Sequence, residues 1–215
     1  WSGGGEIESA GEEGVVHHVA AGELVPLHLE LAQPGNQLNV FLVDLIKDTT
    51  AGGVFTTVGL DPIVPGPASF GGTPSSGVLV SIQNLGKVRT GGCPVGQLSV
   101  ATCGDDITAF VVAHEAGHFM GLYHDTEAVG TIVDPVTDTD TCLCPVCKPP
   151  GQTQPCQGFG DPHVANPYQM LVSDCLALPG CGGGDNLMFW LLDTGSKGLL
   201  TPGQAAVMRA SPLVE

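Results

Sequence analysis

The stretch from His114 to Asp125, which reads His-Glu-Ala-Gly-His-Phe-Met-Gly-Leu-Tyr-His-Asp, constrains this chain more than any other. If its first part is helical, His114 and His118 lie one turn apart on the same face, and their imidazoles can converge on one metal ion. His124 cannot lie on that face of a straight helix, so the helix must end before it. Gly121 is suited to end it, because glycine enters the left-handed conformation without steric cost.

Three imidazoles and one open position are typical of a catalytic zinc site, whereas a structural site closes the fourth position with a protein ligand. Glu115 flanks these histidines without needing to bind the metal. Two histidines four residues apart also occur on exposed polar helix faces, but the extended pattern with Gly121 and His124 favours a metal site. The sequence therefore predicts one catalytic zinc ion per chain, held by His114, His118 and His124.

These residues resemble the long zinc signature of the metzincin metallopeptidases. That family carries a methionine-containing turn under the metal, and Met188 in the segment Asp-Asn-Leu-Met-Phe-Trp at 185–190 fits it. A core methionine that fills an irregular gap is the alternative for Met188. Leu-Tyr-His at 122–124, the Asn-Leu-Met turn and Leu-Thr-Pro-Gly-Gln at 200–204 resemble the pappalysin-like branch, whereas Asp125 resembles adamalysin-like members.

The resemblance implies an α/β fold of the α+β kind, with a twisted, mostly parallel sheet, the zinc helix and an irregular, disulfide-rich C-terminal subdomain. A length of 215 residues suits one domain. We expect residues 1–215 to form one catalytic domain, with an upper subdomain at 1–124 and a lower one at 125–215. The family usually opens with a strand and a long helix, and the sequence lacks a convincing long helix there. We therefore expect that the chain is cut in this region or that its first helix is replaced.

Four segments of the N-terminal half predict strands. The stretch Glu23 to Leu31 alternates like a half-exposed strand, Leu38 to Ile46 suits a buried central strand, and Gly53 to Leu60 suggests another. The fourth segment, Gly77 to Ile82, is the last strand before the zinc helix. In the resembling family, this strand is the edge strand above the cleft, where an extended peptide adds itself antiparallel. Its residues are therefore expected to bind substrate, unless they form a plain sheet edge: Val78, Leu79, Val80 and Ser81.

The two predicted helices carry start signals. Asp105 and Asp106 precede a long apolar run, so they are expected to cap the zinc helix and to complement its dipole. Thr201, as a cap before Pro202, predicts a short terminal helix that runs through Arg209.

Eight cysteines form an even and clustered set. Cys93 and Cys103 precede the zinc helix, and six follow it: Cys142, Cys144, Cys147, Cys156, Cys175 and Cys181. This pattern predicts disulfides in a secreted protein, although the sequence does not determine their connectivity. The alternative is a second, structural zinc site at Cys142, Cys144, Cys147 and Cys156. The sequence contains no apolar stretch long enough for a membrane span.

Charge narrows the class of partner. Six Lys and Arg residues stand against 22 Asp and Glu residues, and the formal charge of -16 repels phosphate backbones and anionic membranes. We therefore expect that the protein binds neither nucleic acid nor membranes. We also expect it to be a monomer. Asp134, Asp138 and Asp140 alternate like the ligands of a Ca²⁺ loop, although the composition favours a solvated acidic loop over a Ca²⁺ site.

The resemblance implies a secreted zinc endopeptidase in which a zinc-bound water attacks the peptide bond and Glu115 acts as the general base. Asp125 is not expected to bind the metal. Its carboxylate is expected to accept hydrogen bonds near the Met188 turn and so to hold together the residues beneath the zinc ion. One departure is Trp190, because many pappalysin-like and astacin-like members have a tyrosine there that helps to stabilise the tetrahedral intermediate. A secreted zinc-binding interaction or inhibitory module without turnover remains an alternative, as does a zinc hydrolase acting on something other than protein.

Overall fold

A computed structural model of the chain describes residues 5–10, 16–20, 31–48, 55–57, 59–126, 133–141, 182–190 and 197–214. It describes the backbone alone at 5–10, 16–20, 47–48 and 55–57. The strand expected from Glu23 to Leu31, except for its last residue, lies outside these ranges. The six cysteines that follow the zinc helix lie outside them too.

The described residues form a mixed α/β structure, as the sequence predicts at this coarse level. A six-stranded sheet has the order β2-β1-β3-β6-β5, and β4 pairs with β3 off this path. The strands are β1 (Gly5–Ala10), β2 (Val16–Ala20), β3 (Val40–Asp48), β4 (Phe55–Thr57), β5 (Gly59–Leu60) and β6 (Val78–Ser81). The helices are α1 (Gly104–Phe119) and α2 (Pro202–Arg209).

The expected mostly parallel sheet is wrong for the described strands. Only β3 and β6 pair in parallel, from Val40 beside Val78 to Val43 beside Ser81, whereas the other four pairs are antiparallel. Strands that follow one another after a few residues fold back as antiparallel neighbours, whereas parallel neighbours need a long crossover connection. Here β3 and β6 are separated by a long connection that contains β4 and β5.

The expected position of residues 78–81 at the sheet edge is also wrong. β6 lies inside the sheet, because β3 pairs with one side of it and β5 pairs with the other, where Gly59 lies beside Val80 and Leu60 beside Leu79. The side chains of all four β6 residues are buried. An uninterrupted buried strand is what an internal position requires, so β5 is the strand at this edge.

β3 is central, as predicted, but it is not buried along its whole length. Val43 and Ile46 are 1% and 6% exposed, whereas Leu42 is 50% exposed. Helix α1 packs on the sheet through a core that joins β6 to the C-terminal half. This core comprises Val80, Val100, Ile107, Phe110, Val111, Leu122, Leu187 and Met188.

The start of α1 differs from the expectation. The N-cap residue is Cys103, whose side chain makes no capping hydrogen bond but forms a disulfide with Cys93. Asp105 and Asp106 lie within the first turn, where their charges complement the helix dipole. Their carboxylates accept hydrogen bonds from the Gly86 amide at 2.7 Å and the Ser99 amide at 2.7 Å. The two aspartates therefore fasten the preceding loops to the helix rather than cap it.

Helix α2 begins as predicted. Thr201 is its N-cap, Pro202 is its first residue, and Thr201 and Gln204 form a reciprocal capping box. Asp138 accepts hydrogen bonds from the Thr201 hydroxyl at 2.8 Å and from the Gly203 amide at 2.9 Å. These hydrogen bonds, first that from Gly203, lower the pKa of Asp138.

Candidate metal centre

The end of α1 turns the chain back towards the histidines. Gly121 has a φ of 101°, its amide donates to the His118 carbonyl at 2.8 Å, and the Leu122 amide donates to the Gly117 carbonyl at 2.9 Å. These two bonds form the Schellman arrangement, in which a left-handed residue closes the helix. The predicted role of Gly121 is therefore confirmed, and His124 follows only three residues later.

The three histidines converge as the sequence predicts. The Nε2 atom of His118 lies 3.1 Å from that of His114 and 3.1 Å from that of His124. The Nε2 atoms of His114 and His124 are 3.2 Å apart. Among the residues described, these three form a group whose donor atoms could hold one metal ion.

The size of this triangle fits a first-row transition metal. Zinc binds imidazole nitrogen at about 2.0–2.1 Å, so tetrahedral ligands stand about 3.3 Å apart. The observed separations of 3.1–3.2 Å are close to this value. Nitrogen donors suit zinc better than calcium, which prefers six to eight oxygen ligands.

Backbone carbonyls orient two of the three imidazoles. The Nδ1 atom of His114 donates to the Leu187 carbonyl at 2.6 Å, and that of His118 donates to the Leu122 carbonyl at 2.7 Å. A carbonyl can only accept, so both rings carry their proton on Nδ1 and direct the Nε2 lone pair towards the site. Burial, followed by the neighbouring His124, lowers the pKa of His114 to about 4. The His114 imidazole is therefore neutral, as a metal ligand must be, at neutral pH.

Met188 packs against α1, the helix that carries His114 and His118. It is fully buried, and a Cβ atom at Gly117 would stand 2.6 Å from its sulfur. The turn that contains Met188 also supplies the Leu187 carbonyl that orients His114. Gly117, between the two histidines of the helix, is therefore needed for the close approach of this turn.

A polar network that the sequence reasoning missed holds the turn in place. The Asn186 side-chain oxygen accepts from the Met188 amide at 2.8 Å. The side-chain amides of Asn186 and Gln204 exchange two hydrogen bonds of 2.8 Å and 3.1 Å, and Gln204 is fully buried. The Gln204 oxygen also accepts from the Thr201 amide at 3.0 Å. In the sequence, the segment 200–204 indicates a family resemblance and the start of the terminal helix, but no signal there assigns a role to Gln204, which anchors the turn.

We expect Gln204→Ala to destabilise the protein by about 3 kcal/mol, because it leaves the buried side-chain donor of Asn186 and the part-buried amide of Thr201 without their acceptor. Urea unfolding of the two proteins measures this change in the free energy of unfolding. Arg209→Ala, at an exposed position of the same helix, is the control and should change stability by less than about 0.5 kcal/mol. Equal stabilities of Gln204→Ala and the parent would contradict the anchoring role.

Asp125 is buried next to the metal centre, but its carboxylate does not make the expected contacts with the Met188 turn. Its backbone amide, instead, donates to the Met188 carbonyl at 3.3 Å. One carboxylate oxygen accepts from the Thr126 amide at 2.9 Å, and the other is buried and has no hydrogen-bond partner in the described part of the chain. Burial is the main cause that raises the pKa of Asp125 to about 8. The observed link between Asp125 and the Met188 turn is therefore a backbone hydrogen bond.

Glu115 lies between the two helical ligands and faces the edge of the sheet. It is 6% exposed, and a Cβ atom at Gly59 would stand 2.6 Å from its Cγ atom. Burial and then the Asp61 carboxylate raise the pKa of Glu115 to about 8, whereas a hydrogen bond from the Asp61 backbone amide opposes this shift. β5 and the residue that follows it therefore form one wall around the Glu115 carboxylate.

If Glu115 is the general base of a peptidase, as the sequence predicts, Gly59→Ala should lower kcat/KM for a peptide by about 100-fold, because the added methyl group displaces the Glu115 carboxylate and misplacement by about 1 Å can cost this much. Zinc content should not change, since Gly59 contacts no ligand. In the Glu115→Gln background, the same substitution should have little further effect. Fully additive losses in the double variant would show that Gly59 acts elsewhere.

Among the described residues, the aspartates of the acidic loop do not form a group that could hold a metal ion, which was the less favoured alternative for them. Asp138 is used by α2. Asp134 accepts from the Val136 amide at 3.0 Å and from the Thr139 hydroxyl at 2.9 Å. Asp134, Asp138 and Asp140 therefore make no common cluster with the histidine site.

Trp190 is partly buried, and its ring centroid lies 6.1 Å from that of Phe189. The cysteines of the alternative second zinc site lie outside the described residues: Cys142, Cys144, Cys147 and Cys156. Within the described part of the chain, none of the helices has the length and apolar character needed to span a membrane.

Comparison with protein-family models, with curated proteins and with solved structures finds no match to this chain. The resemblance to metzincins therefore rests on the sequence motifs, while the histidine triad and its helix stand on the geometry alone.

Proposed function

We propose that this protein is a secreted zinc endopeptidase of the metzincin type, with pappalysin-like features. The observation that carries the proposal is the triangle of three Nε2 atoms, 3.1–3.2 Å apart, with Glu115 beside it on the same helix. Three neutral imidazoles leave one position open for chemistry.

His114, His118 and His124 would hold the zinc ion. Zinc bound there would supply an acidified water and a Lewis acid for the carbonyl of the substrate. Burial raises the pKa of Glu115 to about 8, and this pKa would fall beside the positive charge of a zinc ion at the histidines, which favours the ionised form. The ionised carboxylate accepts the proton of the attacking water and then delivers it to the leaving nitrogen, which is general acid–base catalysis. The Leu187 and Leu122 carbonyls keep two of the imidazoles in the binding tautomer throughout.

The free edge of β5 is the place at which an extended peptide would bind. β5 is the last strand of the sheet order, and its Gly59 lies against Glu115. A peptide that paired with this edge would gain backbone hydrogen bonds whatever its side chains. Its scissile carbonyl would then lie near Glu115. This proposal replaces β6 by β5 as the substrate-binding strand.

Two features support a secreted protein that acts on peptides. The Cys93–Cys103 disulfide is of the kind that persists in oxidising compartments. The formal charge of -16 disfavours nucleic acid and anionic membranes as partners.

A zinc-binding module without turnover is the second candidate. The observation in its favour is the low exposure of Glu115, which Gly59 and Asp61 cover. A general base has to reach a water molecule, so the low exposure of the Glu115 carboxylate favours metal binding without turnover.

Incubation of the zinc-loaded protein with a mixed peptide library tests the proposal. We expect internal cleavage that a chelator stops and that added zinc restores, with about one zinc ion per chain by elemental analysis. Zinc binding without cleavage would favour the second candidate. Cleavage that ignores chelators would overturn the role of the metal.

A further inference from the structure

Asp61, directly after β5, has a buried carboxylate oxygen that the proposed chemistry does not use. Its Oδ1 atom accepts from the Ile63 amide at 3.1 Å, whereas its Oδ2 atom is buried and has no hydrogen-bond partner among the described residues. Within the part of the chain whose side chains are described, no lysine or arginine pairs with it. A buried carboxylate oxygen without a partner is costly, and a positively charged donor removes that cost.

The loop that carries Asp61 is hydrogen-bonded to the C-terminal end of α1 and to the residues that follow it. The Gly66 amide donates to the Phe119 carbonyl at 3.0 Å, and the Tyr123 hydroxyl donates to the Val64 carbonyl at 3.3 Å. Asp61 itself is partly exposed, so its side chain lies at the surface beside the site rather than in the core. The loop therefore holds Asp61 at a defined place beside the site.

The direction of β5 determines which part of a peptide Asp61 faces. In an antiparallel pair, later residues of one strand lie beside earlier residues of the other. Gly59 lies against Glu115, so a peptide that pairs antiparallel with β5 has the bond to be cleaved near Gly59. Asp61 then lies beside residues on the amino-terminal side of that bond.

We propose that Asp61 is a specificity residue that recognises a positively charged nitrogen on the amino-terminal side of the scissile bond. This inference rests on the proposed function. The nitrogen belongs either to the free α-ammonium group of a short peptide or to a lysine or arginine side chain. The net charge of -16 supports it, because a negative field raises the local concentration of cationic substrates.

Four peptides with one common core sequence test the proposal on the zinc-loaded protein. The first is acetylated and lacks lysine and arginine. The second has a free α-amino group, the third is acetylated with lysine on the amino-terminal side of the bond, and the fourth is acetylated with lysine on the carboxyl-terminal side. We expect kcat/KM for the second or third peptide to exceed that for the first by at least about tenfold, as a charged hydrogen bond allows. Whichever of the two is preferred identifies the source of the nitrogen.

Asp61→Asn should bring this ratio close to one. Asp44→Asn removes the same charge from an exposed position on β3 and should leave the ratio as it is in the parent. A parent ratio of one, a ratio that survives in Asp61→Asn, or a preference limited to the fourth peptide would overturn the proposal.

Binding of the same peptides to zinc-loaded Glu115→Gln separates this proposal from the proposed function. If no peptide is cleaved by the parent but Asp61-dependent binding of a cationic peptide is seen, recognition stands and the peptidase proposal fails. Cleavage without a cation preference supports the peptidase and overturns the role of Asp61. If no peptide is cleaved by the parent and none binds selectively to the variant, both proposals are overturned.

Discussion

Glu115→Gln is expected to lower kcat/KM for peptide hydrolysis by about 10²- to 10⁴-fold, because glutamine cannot accept the proton of the attacking water. The variant should still bind one zinc ion, since Glu115 is not among the three residues whose donor atoms converge. Steady-state hydrolysis of a cleaved peptide, together with elemental analysis of the same sample, measures both quantities.

Glutamine has nearly the same size as glutamate, so the contact with Gly59 is preserved in this variant. Burial raises the pKa of Glu115 to about 8, so a neutral side chain at this position should not unfold the protein. The melting temperature is the control for folding. Turnover at the parent rate, with zinc bound and the fold intact, would be incompatible with Glu115 as the general base.

His118→Ala is expected to abolish both zinc retention and hydrolysis. His118 is 8% exposed, and its Nε2 atom is within 3.1 Å of both other ligand atoms, so its removal leaves two imidazoles for the metal. A ligand present at 100 times its dissociation constant stabilises a protein by about 2.7 kcal/mol, which appears as a rise in melting temperature. The parent should show this rise on addition of zinc to the metal-free protein, and the variant should not.

His17→Ala is the matched control for His118→Ala. His17 lies on β2, at the opposite end of the sheet order from β5, and is not a member of the triad. The control should keep both the zinc-induced rise in melting temperature and the hydrolysis of peptides. Stoichiometric zinc in His118→Ala would mean that the metal is bound elsewhere, for example at the cysteines beyond the described residues.

The metal centre was largely predictable from the sequence, because its geometry is mostly local. A four-residue spacing brings His114 and His118 to one helix face whatever surrounds the helix. Gly121 ends the helix through its own backbone freedom, and Thr201 with Pro202 starts α2 through contacts within one turn. These signals depend on neighbours in sequence, so the chain itself determines them.

The contacts that orient the site depended on the tertiary structure. His114 donates to Leu187, which is 73 residues away, and Asn186 pairs with Gln204, which is 18 residues away. The individual residues give no sign of such partners, since a buried amide or imidazole can be satisfied by any suitably placed group. Asp125 illustrates the limit: its closeness to the Met188 turn was anticipated, but its backbone and not its carboxylate makes the contact.

Only the tertiary structure decided which strand forms the sheet edge. Residues 78–81 read clearly as a strand, because an apolar run has a sequence signal, but that signal does not say how many neighbours the strand has. β5 contains two residues, Gly59 and Leu60, and two residues carry no periodicity at all. Its place beside β6, and with it the approach of Gly59 and Asp61 to Glu115, arises from pairing between segments that are distant in sequence. The sequence by itself determined the histidine ligands, and non-local pairing decided what surrounds Glu115.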